Sequence, residues 1–293
     1  MPPKAAVKNS HVLLVGLARN CASTIQAEIE TITRSFAGFR DVSWLIIESD
    51  SSDNSVEILG DIDDSANLKF KALGALQNTM SKRTERIAHC RNAYVQEINT
   101  NPDYANINYV AVVDMDGVNK DLTRAAVENC WGNGLDWDAC FANQPEAYYD
   151  VWALRHPLWS PNDCWQYYAF LRDCGLEGDE SLVAAVYSRM HSIGISIPPI
   201  QVDSAFGGLG IYRKEMFEAC VYEGLDASGN EVCEHVSAHE RMVEQGAKLY
   251  VMPSLVNGGW NEHTKALKFI NRMRRQIKAL AKKPFRFLRR RRL

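Results

Sequence analysis

The chain has 293 residues and is 46% hydrophobic, enough for one large α/β domain or two small ones with a sizeable core. Its formal net charge of −3 hides an asymmetry: residues 265–293 carry 13 Lys and Arg and no acid, so the first 264 hold 20 basic and 36 acidic side chains. Eight cysteines without a CxxC pair argue against a disulfide scaffold or a zinc ribbon and fit a reducing cytosol, while no stretch approaches the roughly 20 apolar residues of a membrane span or forms a signal peptide.

HVLLVG, His11 to Gly16, reads as a buried strand; a polar LARN turn then leads into an amphipathic helix from Ser23 to Phe36 with Ser23 as N-cap. VSWLIIESDSSDNS repeats the plan, with a strand from Val42 to Ile47, an acidic loop and the helical SVEILGDI. Two strand-helix units in a row predict a parallel sheet whose ligands lie beyond the carboxyl ends of the strands. LKFKALG is a third strand, and ERIAHCRNAYVQEINT is a helix with Ile87, Cys90, Tyr94 and Ile98 on its apolar face. NYVAVVDMDG is a fourth strand ending in two carboxylates and a glycine, and WDACFANQ a fifth. From Pro145 to Pro199 the chain is rich in Trp, Tyr, Pro and Cys and reads as a long active-site segment with short helices. DSAFGGLGIYRKEMFEAC is a Gly-rich strand running into a helix, and HVSAHERMVEQGAKLYVMP a helix and a last strand. The predicted fold is α/β: one domain over residues 1–264 with a mixed, mostly parallel sheet flanked by helices, followed by a basic tail, 265–293.

Asp114 and Asp116 form a D-x-D at the end of a buried strand, where oxygen ligands suit Mg²⁺ or Mn²⁺ bridging the phosphates of a nucleotide diphosphate; the rival reading is a solvated acidic turn. Glu48 and Asp50 end the second strand, where an acid either holds ribose hydroxyls or a base edge or only shapes the turn. Of Arg86 and Arg91, five apart on one helix, Arg91 is the better phosphate or carboxylate partner and Arg86 reads as an ordinary surface charge. Gly207 and Gly208 in FGGLG either admit a sugar or diphosphate or let strand and helix pack closely. Asp203 is a sugar-hydroxyl ligand or a loop acid. Glu234 is a general base or acceptor ligand, against the plain role of an acid at a helix start. His263 could complete a metal shell, His239 less so, and His235 is a further titratable candidate. In the tail, Leu267, Ile270, Met273, Ile277 and Leu280 recur at helical spacing among cations, the pattern of a helix lying on an anionic membrane surface, or else of a plain solvated end. No nucleic-acid recognition module accompanies it.

Taken together, ESDSSDNS, ERIAHCRNAYV, YVAVVDMDGVN and YYDVWALR resemble the A-type (GT-A) glycosyltransferases, and among them the cryptococcal capsule mannosyltransferase family; FGGLGIYR and the CEH after it are similar to patterns in bacterial members. The resemblance covers roughly residues 11 to 263. It implies a metal-dependent transferase that moves a hexose, mannose foremost, from a GDP- or UDP-linked donor to a glycan or lipid-linked acceptor in cell-surface polysaccharide synthesis. Asp114 and Asp116 match the metal-binding pair, and Arg91, Asp150, Trp152 and Arg155 match the RN and YDxWxxR positions. The expected assignments are then Ala18, Arg19, Glu48, Asp50, Arg91, Asp114, Gly207 and Gly208 on the nucleotide sugar, Asp150, Trp152 and Arg155 on the acceptor, Glu234 and Asp203 in catalysis, and His263 with the two aspartates on Mn²⁺ or Mg²⁺. The fungal members carry an N-terminal membrane anchor; no such helix is read in this sequence, and a cytoplasmic enzyme, peripheral at the inner face of the membrane, is expected. A sugar-phosphate nucleotidyltransferase and a non-catalytic glycan-binding protein are the rival readings; GLARNCAS is a poor phosphate loop for the first.

Overall fold

The computed structural model describes residues 4–63, 67–132, 134–265 and 267. Eight strands form one sheet: β1 (His11–Ala18), β2 (Asp41–Glu48), β3 (Leu68–Ala72), β4 (Tyr109–Asp114), β5 (Ala139–Asn143), β6 (Ile200–Val202), β7 (Leu209–Arg213) and β8 (Leu249–Val256). Their order across the sheet is β3-β2-β1-β4-β7-β5-β8-β6. Pairing is parallel for β1 with β2 and β4, β2 with β3, and β5 with β8, whereas β7 runs antiparallel to β4 and β5, and β6 to β8. This is the expected mixed, mostly parallel sheet.

The near-continuous apolar runs of β1 and β4 follow from burial on both faces. Leu13, Val15, Val110 and Val112 face one layer, where Ala88, Tyr94 and Ile98 of α3 (Arg83–Thr100) pack. Val12, Leu14, Ala111 and Val113 face the other, against Ile25, Ile29 and Ile32 of α1 (Ile25–Ser35) and Ala126 and Cys130 of α4 (Arg124–Gly132). Burying one such aliphatic side chain stabilises by about 1.5–3 kcal/mol. The remaining helices are α2 (Ser55–Asp63), α5 (Cys164–Asp173), α6 (Gly178–Ala185) and α7 (Glu234–Glu244).

Two local expectations are corrected and one element is added. Thr24, not Ser23, is the N-cap of α1, and its side chain makes no capping bond. The segment after β7 forms a short 3₁₀ turn, Lys214–Phe217, in place of a helix. Helix α4, absent from the sequence reading, fills the link between β4 and β5. All eight cysteines are free thiols. Among the described residues no helix is long and apolar enough to cross a membrane. The amphipathic tail read from the sequence lies, apart from residues 265 and 267, outside the described residues.

Candidate active site

β1, β2 and β4 run parallel, so Ala18, Glu48 and Asp114 end on the same edge of the sheet. From β1 the sheet grows through β2 and β3 on one side and through β4 on the other, the switch point at which open α/β sheets form a crevice. Two adjoining chambers open there. The first, about 470 Å³, is lined by Ala18, Arg19, Asp50, Arg86, Arg91 and Glu234 among others. The second, about 640 Å³, is bounded by Trp165, Met190, Trp260 and His263. Arg83, Asp114, Asp116, Tyr149, Asp150 and Trp152 line both.

Asp114 lies on the crevice floor with its main chain fixed: its N–H donates to Gly208 O at 2.9 Å, and Asn119 Nδ2 donates to its carbonyl at 2.9 Å. Burial and the neighbouring Asp116 carboxylate raise the Asp114 carboxyl to about 7, with Arg91 offsetting part of that rise. Asp116 is exposed at the chamber junction and accepts from Val118 N–H at 3.2 Å. Among the described residues no three His, Cys, Asp or Glu side chains converge closely enough to hold a metal ion alone. His263, expected as a third ligand, instead stacks on Tyr149 at 5.4 Å and 14° and lies exposed on the second chamber. The donor set present, two hard carboxylates opening on a crevice, fits Mg²⁺ or Mn²⁺, ions that complete their shells from water and substrate phosphate.

Beneath the pair, buried Arg91 donates from Nε to Glu234 Oε1 at 2.9 Å, while its Nη2 stands 3.8 Å from Asp114 Oδ1. Its guanidinium lies over the Phe206 and Tyr222 rings, which removes water and strengthens both ionic contacts. Asp150 accepts from Gly207 N–H at 3.0 Å, and burial raises its carboxyl in spite of that bond. Arg86 is no free surface charge: it donates to the Met80 and Ser81 carbonyls, and its Nε stands 3.4 Å from Asp50 Oδ2. Asp50, at φ +61°, also accepts from Gln77 N–H.

Other candidates stand elsewhere. Glu48 lines neither chamber; it is buried and accepts from Ser51 N–H at 3.0 Å, so it shapes the turn after β2. Asp203 is exposed and lines neither chamber. Arg155 is also outside them: its guanidinium donates to Asp163 and to the Trp152 and Leu154 carbonyls, while Trp152 Nε1 donates to the same Asp163 carboxylate. Gly207 and Gly208 face protein atoms. Both have positive φ, and a Cβ on Gly208 would lie 2.5 Å from Val118 Cγ1, one on Gly207 3.0 Å from Ala142 O. The two glycines thus let the backbone pass close to Val118 in the loop after β4 and to Ala142 of β5.

His239 is a structural residue, bonded to Ser204 Oγ at 2.8 Å and Tyr212 Oη at 2.9 Å. His235 lines the first chamber, stacked on Phe206 at 3.9 Å, with neither ring nitrogen hydrogen-bonded. Sequence reasoning took Tyr149 only as part of the aromatic segment expected to stack on acceptor sugar rings, and gave no role to Arg83 or to the buried amides behind the aspartates: Asn257 donates to Asn119 Oδ1 and Gly207 O, and Gln144 to Asn257 Oδ1. Tyr149 was signalled by that aromatic segment and by its place beside Asp150, and the lone amides by nothing.

No protein-family model matches the chain, and no curated protein matches it in sequence. Among solved structures it is similar to the mannosyltransferase PcManGT from Pyrobaculum calidifontis in complex with GDP-Man and Mn²⁺, at 15% identity and a TM-score of 0.47, over 96% of this chain and 67% of that one. It is also similar to S. aureus TarS 1–349, at 10% identity and a TM-score of 0.44, over 90% of this chain and 64% of that one. With TarS 1–349 in complex with UDP-GlcNAc the figures are 11%, 0.46, 86% and 59%.

Proposed function

We propose that the chain is a metal-dependent glycosyltransferase that moves a hexose from a nucleotide-diphosphate sugar to a glycan or lipid-linked acceptor. The observation that carries this reading is the position of Asp114 and Asp116 on the shared wall of two adjoining chambers. Group transfer needs two substrates that meet at one point, with the departing diphosphate held there. The nucleotide is assigned to the first chamber, beside Ala18, Arg19 and Asp50, and the acceptor to the second, between Trp152, Trp165 and Trp260. Indole faces suit the C–H faces of sugar rings. The sequence likeness to capsule mannosyltransferases supports mannose as the sugar.

Asp114 and Asp116 would hold Mn²⁺ or Mg²⁺, which when bound neutralises the diphosphate and makes it a better leaving group. Arg83 and Arg19 supply further positive charge at the first chamber. Asp150, lining both chambers with its carboxyl raised by burial, is placed to accept a hydrogen bond from the acceptor hydroxyl. Glu234 keeps Oε1 on Arg91, which suits holding a sugar hydroxyl better than deprotonating one.

Purified protein is incubated with UDP- and GDP-sugars with and without Mn²⁺, and donor hydrolysis is followed beside the melting temperature. The expected result is metal-dependent hydrolysis of one donor and a rise in Tm that requires both metal and the matching nucleoside diphosphate. If no nucleoside diphosphate shifts Tm in the presence of metal, the proposal fails and the glycan-binding reading replaces it.

A further inference from the structure

The second chamber has two unlike walls. One comes from the segment 151–190, where Val151, Trp152, Cys164, Trp165, Val186 and Met190 line the chamber. All of these but Trp165 belong to a single packed apolar cluster, in which Trp152 and Met190 lie against Val151, Cys164 and Val186. Trp165 follows Cys164 on α5 and meets Tyr168 of the same cluster edge to face, with ring centroids 6.0 Å apart. The apolar wall is therefore continuous. The other wall comes from the loops after β4 and β8, with Asp116, Lys120, Asn261, Glu262 and His263.

The apolar wall has little to offer a hydroxyl. The Trp152 indole N–H is taken by Asp163 Oδ2 at 2.9 Å, and the other oxygen of that carboxylate accepts the Trp165 main-chain N–H at 2.8 Å. The N–H groups of Val151, Val186 and Met190 donate to the carbonyls of Tyr149, Leu182 and Tyr187. A sugar hydroxyl pressed against this wall would leave water without finding a partner, whereas a hydrocarbon group gains by the same step. The opposite wall is the reverse. Its exposed Lys120, Glu262 and His263 carry donors and acceptors, and Trp260 together with the stacked Tyr149 and His263 rings offers faces for a sugar ring.

We infer that the acceptor is amphiphilic, a sugar joined to a hydrocarbon aglycone, with the sugar against the loops after β4 and β8 and the aglycone against the wall of Val151, Trp152, Cys164, Trp165, Val186 and Met190. Asp116 stands on the polar wall and borders both chambers, so the sugar end of such a molecule is the end that meets the donor. The role of this ligand as acceptor rests on the glycosyltransferase reading; its binding in the second chamber is a separate property of the two walls.

The probes are methyl, n-hexyl and phenyl glycosides of mannose, glucose and galactose, titrated into the full-length protein with tryptophan fluorescence as the readout, since Trp152, Trp165 and Trp260 line the chamber. Each methylene moved from water onto the wall should gain about fourfold in affinity, so the hexyl glycoside of at least one sugar should bind at least about tenfold more tightly than its methyl counterpart. A gain for phenyl alone also supports the inference and makes the aglycone aryl. With the donor that is hydrolysed, the same preference should appear in the KM for transfer. Trp165→Gln and Met190→Gln should each lower the hexyl-to-methyl ratio at least about threefold; Trp165 is exposed, so its variant should keep the fold. Leu158→Gln alters an apolar side chain that is 92% exposed and lines neither chamber, and should leave the ratio alone. Equal affinity of the three glycosides for every sugar, no binding of any, a KM for transfer that ignores the aglycone, or an equal loss in the Leu158 variant overturns the inference. Failure of the transferase reading shows instead as nucleoside diphosphates that leave Tm unchanged with metal present, whatever the glycosides do.

Discussion

At Asp114 two demands conflict. Its backbone is held by Gly208 and Asn119, and its carboxyl sits beside Asp116 on a floor that disfavours charge, raised to about 7. Relieving the repulsion should stabilise the protein in the absence of metal: Asp114→Asn is expected to gain about 1–2 kcal/mol at pH 8, discounted because the side chain is one-third exposed. The same variant should lose metal-dependent donor hydrolysis, and Asp116→Ala should lose it more completely without unfolding. A lower Tm for Asp114→Asn without metal would contradict the electrostatic account, and undiminished Mn²⁺-dependent activity in either variant would remove the proposed role of the pair. Glu234 calls for a different experiment, since its partner Arg91 is buried. Arg91→Met strands the Glu234 charge and should cost about 3–5 kcal/mol. Glu234→Gln keeps the shape and should lower kcat about a hundredfold with little change in donor binding. Near-normal turnover in the glutamine variant returns Glu234 to the role of a helix-start acid.

The elements that form the crevice were unequally legible. β1, β2 and β4 announced themselves as apolar runs ending in a glycine or an acid, because strands covered on both faces need nothing else. α4 was missed: RAAVENCWG is short, and its buried face is only Ala126, Val127 and Cys130. The position of β7 could not be read, because its five buried residues pair with β4 and β5, strands far from it in sequence, and pairing of that range leaves no local pattern. That insertion explains FGGLG. Gly208 must take φ +81° to start β7 while its carbonyl receives the Asp114 and Asn119 N–H groups. Gly208→Ala brings a methyl group against Val118 Cγ1 in a conformation that L residues avoid, so it should cost about 1–3 kcal/mol in denaturant unfolding and also displace Asp114. A change within about 0.5 kcal/mol would mean that Val118 and the turn yield easily.

Across the whole molecule, the sheet and the D-x-D crevice followed from hydrophobic periodicity and strand-end chemistry, whereas the separation of Asp203 and Arg155 from the crevice is a matter of chain path alone. The buried histidines show what that path imposes. His239 is bonded at both nitrogens between Ser204 and Tyr212, and burial, with Arg91 adding to it, lowers its ring to about 3. An unfolded histidine titrates near 6.5, so between pH 6.5 and about 3 the unfolded chain binds a proton that the native ring refuses. Stability from His239 is therefore complete above pH 6.5 and is lost as the pH falls through that window. Asp114 has the opposite sign: raised to about 7, it binds a proton in the native state between pH 7 and its ordinary carboxylate range, adding stability on acidification and masking the loss. The difference between two proteins separates them. His239→Gln should be less stable than the unaltered chain at pH 7, because one of two buried bonds is lost, and that deficit should shrink by on the order of 1 kcal/mol per pH unit below 6.5 as only the unaltered chain is penalised. Urea unfolding of both proteins from pH 7.5 to 4.5 measures this directly. Parallel stability curves would mean that the His239 ring becomes protonated in the native state, donating from both nitrogens to the Ser204 and Tyr212 hydroxyl oxygens.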